Sequence, residues 1–316
     1  MTSVIVDVRG LRKIYRGKQT VTAVDGIDLS VREGEIYGLL GPNGAGKTST
    51  ISICTTRALP DEGAVSIAGI DVVKHPSLAR RCIGVVPQYN TLDRACTVAE
   101  NIRFHCRYFG QSNTQARERT DQLLAQFHLT EKSTAYPAQL SGGLAQRVQI
   151  ARAIAHHPRV LFLDEPSAGL DPQGRIAMWD AVRALRQEGI TVVLTTHYME
   201  EADELCDRVA IIDHGRILVE DTPAALKSSL EAQRVYQLHL RNQDGATRLA
   251  ETLRSIAGVI AADALQDGVR VLGQSTDGLL SEVVSAANPY GLRDLTITET
   301  SLETVFIQLT GRDLRE

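Results

Sequence analysis

Apolar runs of four to six residues recur along the first two thirds of the chain, and segments of helical spacing separate them. Two of these runs, residues 160–163 and 191–194, are continuously apolar, which is typical of strands buried on both faces of a parallel sheet. The helical pattern of residues 174–187 lies between them and predicts a crossover connection. The same kind of run predicts further strands at residues 36–40, 65–70, 83–86, 209–212 and 217–219.

The pattern differs on either side of the first long apolar strands. Residues 4–31 predict short strands with turns at 15–18 and 24–26, which favours an antiparallel layer. Between about residues 89 and 155 the pattern is mostly helical. It includes a capping box at Thr97 and Glu100 and helical spacing at Leu123, Leu124 and Phe127. We interpret this stretch as a helical insertion in the first domain, residues 1–228.

A second domain is predicted for residues 229–316. Its segments alternate in the order β-α-β-β-α-β-α, which is the order of a ferredoxin-like sandwich followed by one helix. Thr300 and Glu303 predict a capping box for that last helix. The predicted fold is therefore an α/β phosphate-loop NTPase core with an antiparallel β layer and a helical insertion, followed by a small α+β domain.

Composition excludes several classes of function. A total of 34 Lys and Arg against 38 Asp and Glu gives a net charge of −4, so we expect no nucleic-acid binding through a basic surface. The N-terminus resembles an edge strand, not a signal peptide, and no run of 18 apolar residues predicts a membrane span. Five cysteines without C-x-x-C spacing predict reduced thiols, not a metal site or a disulfide framework.

The segment after the first apolar strand fits the phosphate-loop pattern G-x-x-x-x-G-K-[ST]. Glycines allow backbone N–H groups to point at phosphate oxygens, and the following helix adds its N-terminal partial charge. In that geometry Lys47 reaches the β- and γ-phosphates and the Thr48 hydroxyl ligates Mg²⁺. The alternative is a glycine-rich turn before a helix. The predicted nucleotide-binding residues are Gly41, Pro42, Asn43, Gly44, Ala45, Gly46, Lys47, Thr48 and the adjacent Ser49.

Two carboxylates end the apolar strand at residues 160–163. Burying unpaired charge at a strand end is costly, so Asp164 and Glu165 call for a function. With a phosphate loop upstream, Asp164 is expected to hold the Mg²⁺ shell opposite Thr48, and Glu165 to orient or deprotonate the attacking water. The alternative is a polar strand end without chemistry.

Six ordered motifs within residues 1 to about 225 resemble those of the ATP-binding cassette (ABC) ATPases. Besides the phosphate loop and the Asp-Glu pair, they are the signature motif at residues 140–147 (LSGGLAQR), the glutamine loop at Pro87-Gln88, the D-loop at residues 167–171 and the switch histidine His197. Tyr15 stands where the family has an aromatic residue under adenine. One departure is Leu144, because the signature usually has Gln after its second glycine.

The resemblance implies roles for residues that the pattern alone leaves open. It places Gln88 at the catalytic Mg²⁺ and His197 at the γ-phosphate, although a histidine at a strand end is often only packing. It assigns adenine stacking to Tyr15, which from its basic neighbours alone is equally an exposed hairpin residue. Lys47 and Glu165 complete the predicted catalytic set, and Asp171 belongs to the predicted nucleotide site through the D-loop.

The signature motif predicts an assembly. Ser141, Gly142 and Gly143 would open a helix and form a second anion site. The resemblance implies that this site closes on ATP held by another cassette, so that two copies of the chain sandwich two ATP molecules. Closure driven by ATP is a difference in affinity between two states. Separate transmembrane permease subunits are also implied, and with them a location at the cytoplasmic face of a bacterial membrane.

We weighed three functions for such a cassette. Residues 84–93 and 302–311 resemble the daunorubicin-resistance type of bacterial drug exporter, so the first is an exporter ATPase whose C-terminal domain serves assembly or regulation, or simply covers cassette surface. The second is a soluble cassette acting on ribosomes or DNA, which would carry a second cassette or a long coiled coil. The third is an importer subunit, whose usual extension is a small β-barrel and not alternating helices and strands.

Overall fold

The structure is a computed structural model that describes residues 3–17, 20–228, 233–241, 245–274, 278–298 and 301–310. The chain divides into two compact units, Met1–Thr222 and Pro223–Glu316. The first helix of the second unit is α8 (Pro223–Ser228), which packs against α11 (Leu302–Thr310). Our predicted boundary after residue 228 had placed this helix in the first domain.

The first unit is built on a six-stranded sheet with the strand order β10-β9-β3-β8-β7-β6. Pairing is parallel from β9 to β6, and β10 pairs antiparallel with β9 at the edge. Every residue of β3, β7 and β8 is buried, as their apolar runs require. The strands are β3 (Ile36–Leu40), β6 (Ile83–Val86), β7 (Val160–Asp164), β8 (Thr191–Thr196), β9 (Arg208–Asp213) and β10 (Arg216–Asp221).

Helices connect these strands. Between β6 and β7 lies a run of helices, in which Thr97 and Glu100 form the predicted capping box. The helices of the first unit are α1 (Lys47–Cys54), α2 (Pro76–Cys82), α3 (Val98–Tyr108), α4 (Asn113–Gln126), α5 (Gly142–Ala153), α6 (Pro172–Gln187) and α7 (Met199–Leu205).

A second, antiparallel sheet has the strand order β2-β1-β4-β5 and shares a hydrophobic core with α1 and the central sheet. Its strands are β1 (Val4–Arg16), β2 (Thr20–Arg32), β4 (Glu62–Ile67) and β5 (Ile70–Asp71). The turn predicted at residues 24–26 was wrong, because β2 continues through it. Leu11 pairs with Ile27 and Arg12 with Asp25, so Gly26 is the extra residue of a bulge, and its φ of 79° is readily available to glycine.

The second unit contains a four-stranded antiparallel sheet with the strand order β12-β13-β11-β14. Counted within the unit, this is the order 2-3-1-4 with a helix after the first and third strands, which is the ferredoxin-like arrangement predicted above. Residues of α9, α10 and three strands form its core. The elements are β11 (Gln233–Leu240), α9 (Ala246–Arg254), β12 (Val259–Leu265), β13 (Gly268–Gln274), α10 (Leu279–Ala287), β14 (Leu292–Thr298) and α11.

Two further expectations from the sequence concern the cap of α11 and membrane spans. The capping box predicted at Thr300 lies outside the described residues, whereas Ser301 Oγ accepts a hydrogen bond from the backbone N–H of Thr304 at 3.3 Å. Across the part of the chain that the structure describes, no helix combines the length and the apolar character needed to cross a membrane.

Candidate functional site

The predicted phosphate loop connects β3 to α1 at the carboxyl edge of the central sheet. Lys47, the first residue of α1, is only 4% exposed. Its Nζ donates hydrogen bonds to the backbone oxygens of Gly41 (2.8 Å) and Pro42 (3.0 Å), so the lysine closes the loop around itself. Burial lowers the pKa of Lys47, and the Glu165 carboxylate beside it offsets part of this effect.

Glycine is required at two positions of this loop for steric reasons. Gly46 has a φ of 108° and is the N-cap of α1, and a Cβ there would lie 2.3 Å from the backbone oxygen of Ala23. A Cβ at Gly41 would lie 2.2 Å from the backbone oxygen of Ile212. The backbone of the loop is therefore pressed against β2 and β9, and this packing holds its shape. Asn43, Gly44 and Thr48 remain exposed, whereas Ala45 is buried and Ser49 is half-buried.

Asp164, the last residue of β7, connects two elements through one carboxylate oxygen. Its Oδ1 accepts a hydrogen bond from Thr195 Oγ1 at 2.6 Å and one from Thr48 Oγ1 at 3.2 Å. Parallel strands bring their carboxyl ends to one edge of a sheet, so a residue at the end of β7 meets the start of α1 and the end of β8. Asp164 and Thr48, which the sequence predicted to hold Mg²⁺ between them, thus lie in direct contact, and their role as metal ligands stays a prediction.

Glu165 is the point at which three predicted catalytic side chains meet. It is 7% exposed and has a φ of 49°, a left-handed conformation that is strained for a residue other than glycine. Its Oε2 accepts a hydrogen bond from Gln88 Nε2 at 2.9 Å and lies 3.3 Å from His197 Nδ1. Its Oε1 lies 3.3 Å from Lys47 Nζ. Backbone strain at a residue with three converging partners is characteristic of a functional site.

Tyr15 lies apart from this cluster, near the end of β1. It pairs with Val21 on β2, its side chain is 45% exposed, and Lys13 Nζ lies 5.5 Å from the ring centroid. An exposed aromatic face is what adenine stacking needs. The surroundings of Tyr15 are equally those of an exposed hairpin residue, so its role stays a prediction.

The signature residues form a second site of their own. Ser141 is the N-cap of α5 and accepts a hydrogen bond from the backbone N–H of Leu144 at 3.4 Å, and Gly142 and Gly143 form the first turn. Asp171 is likewise the N-cap of α6 and accepts from the N–H of Gly174 at 3.1 Å. Both N-termini line one cleft of about 410 Å³, and the phosphate-loop residues do not line it.

The sequence did not single out two groups of residues at this site. Thr195 donates to Asp164, and both its backbone oxygen (3.1 Å) and its Oγ1 (3.0 Å) accept hydrogen bonds from the backbone N–H of Glu165. Glu201 on α7 is fully buried and accepts a hydrogen bond from Trp179. For Thr195, the signal available in the sequence was the pair of threonines at the end of β8. For Glu201 there was none.

A phosphate loop faces two carboxylates at the carboxyl edge of a parallel sheet, and these features define the class of the phosphate-loop nucleoside triphosphatases. Comparison with known proteins gives the particular family. A family model described as ABC transporter matches residues 24–168. The chain is 40% identical over 310 residues to the daunorubicin/doxorubicin resistance ATP-binding protein DrrA of Streptomyces peucetius, covering 97% of this chain and 92% of that one. The chain therefore belongs to the ABC transporter family.

Other relatives and solved structures agree with this assignment. The chain is 39% identical to the Nod factor export ATP-binding protein I of Ralstonia nicotianae, over 99% of this chain and 95% of that one. A dimeric ATP-binding cassette in a post-hydrolysis state with ADP and Pi superimposes with a TM-score of 0.64 and 29% identity, over 69% of this chain and 98% of that one. The predicted family, the fold class and the identification as an ATPase are confirmed.

Proposed function

We propose that this chain is the ATP-hydrolysing subunit of a multi-subunit ABC exporter. Two copies would close on two ATP molecules at the cytoplasmic face of a bacterial membrane and drive transport through separate permease subunits. The observation that carries the proposal is the convergence of Lys47, Gln88 and His197 on the buried Glu165, next to a phosphate loop.

ATP is bound by the loop between β3 and α1. The Lys47 ammonium now makes its contacts with Gly41, Pro42 and Glu165, and it is the cation available for the β- and γ-phosphates. Loop residues such as Gly44, Gly46, Lys47 and Thr48 offer backbone N–H groups at the N-terminus of α1, and Ser49 continues that turn. Pro42 has no N–H, and those of Gly41 and Ala45 already donate to backbone oxygens. Tyr15 supplies the exposed ring on which adenine would stack.

The residues present suit Mg²⁺. Thr48 Oγ1 and Asp164 Oδ1 are 3.2 Å apart, and Gln88 adds an amide oxygen from the glutamine loop. Mg²⁺ prefers oxygen ligands and is usually held by one or two protein groups together with phosphate oxygens and water. The described residues contain no cluster of three or more His, Cys, Asp or Glu that would form an all-protein cage, which fits this shared mode of binding. When bound, the ion would neutralise charge that develops on the phosphates.

Glu165 is placed to act as the general base on the attacking water. A carboxylate that accepts from Gln88 and lies against Lys47 is held in one orientation, and Thr195 fixes its backbone. His197 Nδ1 lies 3.3 Å from Glu165 Oε2 without a hydrogen bond of standard geometry, so it would be available to the γ-phosphate or the water. Gln88 links the same carboxylate to the start of the helical insertion.

The cleft at Ser141–Gly143 and Asp171 would receive the ATP that the second cassette holds. Two helix N-termini meet there, and each offers unpaired N–H groups to an anion. Support comes from the solved cassette of similar fold, which was captured as a dimer with ADP and Pi. ATP would therefore stabilise the closed pair and hydrolysis would release it.

The transported compound is proposed to be a drug, a lipid or another hydrophobic molecule. Relatives that match nearly the full length are named for daunorubicin resistance and for Nod factor export. Their match includes the ferredoxin-like domain, which differs from the β-barrel expected of an importer. We propose that residues 229–316 form an accessory or regulatory domain of the exporter.

Replacement of Glu165 tests the proposal. Glu165→Gln keeps the shape of the side chain and its contact with Gln88 but removes the base. We expect ATP binding to persist and hydrolysis to fall by on the order of a hundredfold or more. The measurement is phosphate release by the purified protein together with its membrane subunits, with Glu188→Gln as a surface control. Unchanged turnover in Glu165→Gln would remove Glu165 as the base.

Export is tested separately in inside-out membrane vesicles that contain the chain and its permease. We expect ATP-dependent accumulation of doxorubicin inside these vesicles and none with the Glu165→Gln variant. Vesicles that hydrolyse ATP but accumulate neither this drug nor a fluorescent lipid would contradict the proposed cargo class while leaving the ATPase assignment intact.

A further inference from the structure

Glu201 is a buried carboxyl group that the proposed mechanism does not use. It is the third residue of α7, and its side chain is fully excluded from solvent. A carboxylate without partners in such a place is unfavourable, and burial raises the pKa of Glu201 above its usual range. The chain nevertheless has a carboxyl here, where leucine or methionine would fill a helix core position at no electrostatic cost.

The polar neighbours of Glu201 come from three different elements. Trp179 Nε1 on α6 donates a hydrogen bond to Glu201 Oε1 at 3.2 Å. The hydroxyls of Thr196, at the end of β8, and Ser167, in the loop after β7, lie close enough to lower the pKa of Glu201 and so oppose the effect of burial. Polar groups that are fully buried and share one carboxyl fix their elements relative to each other.

Two of these neighbours belong to the catalytic segments. Ser167 follows Glu165 by two residues in the D-loop, and Thr196 immediately precedes His197. The backbone oxygen of Thr196 also accepts a hydrogen bond from the N–H of Gly41 at 3.2 Å, so the end of β8 touches the phosphate loop. Glu201 therefore has neighbours in both segments that carry Glu165 and His197.

Ser167 of the D-loop and Glu201 do not form a hydrogen bond of standard geometry in this structure. Ser167 Oγ and Glu201 Oε2 are both buried, and neither makes a hydrogen bond of standard geometry within the described residues. Ser167 is 1% exposed, so water has no ready access to satisfy it. A buried hydroxyl and a buried carboxyl oxygen without partners are both stabilised if they bond to each other, which favours a D-loop position that joins them.

We infer that Glu201 is a positioning residue, a buried clamp between the D-loop at Ser167 and the end of β8 at Thr196 that holds Glu165 and His197 at their working separation of 3.3 Å. The inference rests on the proposed function, because it gives Glu201 a part in the hydrolysis assigned to Glu165. The hydrogen bond that the Glu201 side chain makes within the described residues goes to Trp179 and not to the phosphate loop or Tyr15. Loss of the clamp therefore affects the chemical step more than nucleotide binding.

Glu201→Ala tests the clamp. Misplacing catalytic groups by about 1 Å can cost roughly a hundredfold in rate, so we expect kcat for ATP to fall by at least about tenfold while KM changes less than about twofold. Glu201→Gln, whose amide can accept from Trp179 and donate to Ser167, should restore kcat to within about threefold of the wild type. A purely structural role would lower the melting temperature without this split between kcat and KM.

Two control variants separate positioning from lost stability. Leu205→Ala truncates a buried residue of the same helix that none of the three polar neighbours contacts through a hydrogen bond, so it should lower the melting temperature and keep kcat. Glu200→Ala removes the adjacent exposed carboxylate, which pairs with Arg175 at 3.3 Å on the surface, and should change neither. Equal kcat losses in Glu201→Ala and Leu205→Ala would overturn the inference.

If Glu201→Ala does not fold, Ser167→Ala tests whether Glu201 positions the catalytic residues. This change removes one buried oxygen atom and leaves the carboxyl with Trp179 and Thr196, so the protein should fold and kcat should fall with KM unchanged. Wild-type kcat in Ser167→Ala would overturn the inference. A wild-type protein that binds but never hydrolyses ATP contradicts the proposed function itself, whereas an active wild type with active Glu201 variants contradicts only the clamp.

Discussion

Lys47 makes contacts in the phosphate loop that ATP would replace. Its ammonium bonds to two backbone oxygens of the loop and lies 3.3 Å from Glu165, all within a region that is almost closed to solvent. These contacts keep a buried cation satisfied before phosphate arrives. On the proposed function, nucleotide binding would exchange the contact of Lys47 with Glu165 for phosphate oxygens and leave the carboxylate available to a water molecule.

Removal of that cation gives the first residue-scale prediction. Lys47→Ala deletes a charge-assisted contact of the kind worth about 1.5–3 kcal/mol, so the Kd for ATP should rise by roughly 10- to 100-fold. Equilibrium binding of a fluorescent ATP analogue measures it. Lys74→Ala, which removes an exposed lysine paired with Asp71, is the matched control and should bind normally. Normal affinity in Lys47→Ala would contradict the role given to the phosphate loop.

Two glycines of the loop allow the backbone argument to be tested on its own. Gly46→Ala places a methyl group 2.3 Å from the backbone oxygen of Ala23 at a φ of 108°, and should lower the free energy of unfolding by roughly 3 kcal/mol or more. At Gly44 the φ is 82° but a Cβ meets no atom within 4 Å. Gly44→Ala should therefore cost only the conformational part, about 1–2 kcal/mol. Thermal unfolding of both variants should separate them, and equal losses would show that the close approach to β2 has no role.

At the scale of elements, two histidines lie where α3 meets the segment after α5. The His156 ring stacks on Phe109 with ring centroids 3.7 Å apart, and His156 Nε2 is 3.0 Å from the backbone oxygen of Ile83 on β6. His105 packs 5.4 Å from His156, centroid to centroid. Burial lowers the pKa of His105 to about 3 and that of His156 to about 4. Both rings therefore join the helical insertion to the core as neutral groups.

These pKa values predict how stability changes with pH. Below about pH 6.5 the unfolded chain binds protons at both histidines while the folded chain does not, so the free energy of unfolding should fall as the pH falls from 6.5 towards 4. Above about pH 6.5 both histidines are neutral in the folded and the unfolded chain, so their lowered pKa values cost no stability there. Urea unfolding at pH 7.5 and pH 5 measures the loss. His105→Phe should show a smaller loss than the wild type, and an identical loss would mean that His105 is protonated in the fold.

At the scale of the whole molecule, the two predicted anion sites of one cassette lie at different helix N-termini and share no lining residues. The phosphate loop lies at α1, and the cleft lined by Ser141 and Asp171 lies at the starts of α5 and α6. Two helix N-termini and Arg147 line this cleft, but no residue of the phosphate loop does. On the proposed function, a second copy would complete this cleft by presenting its own phosphate loop, and ATP would then favour the dimer.

Ser141→Arg tests this composite site. The long cationic side chain should fill the cleft at α5 and abolish both turnover and ATP-driven dimerisation, while each monomer still binds ATP through its own phosphate loop. Light scattering with ATP in the Glu165→Gln background measures dimerisation. Thr114→Arg, on the exposed surface of α4, is the control. Normal hydrolysis by Ser141→Arg would refute the composite site.

Much of the fold was predictable because a strand that is buried on two faces appears in the sequence as a run of mostly apolar residues. The runs at β3, β7 and β8 are apolar without interruption, and the structure buries every residue in them. The turn predicted at residues 24–26 was wrong for a reason that is also physical. Glycine with a positive φ serves a tight turn and a bulge alike, and only the pairing of β1 with β2 decides between them.

The sequence by itself determined the family and predicted which groups bind and cleave the nucleotide, because phosphate chemistry requires particular residues at short fixed spacings, as from Gly41 to Thr48 and at Asp164-Glu165. The tertiary structure decided what holds those groups. Thr195 and Glu201 look like ordinary residues of a strand and a helix, and they acquire their partners only when β7, β8 and α6 come together. Long-range packing brings these residues together, and no local pattern encodes it.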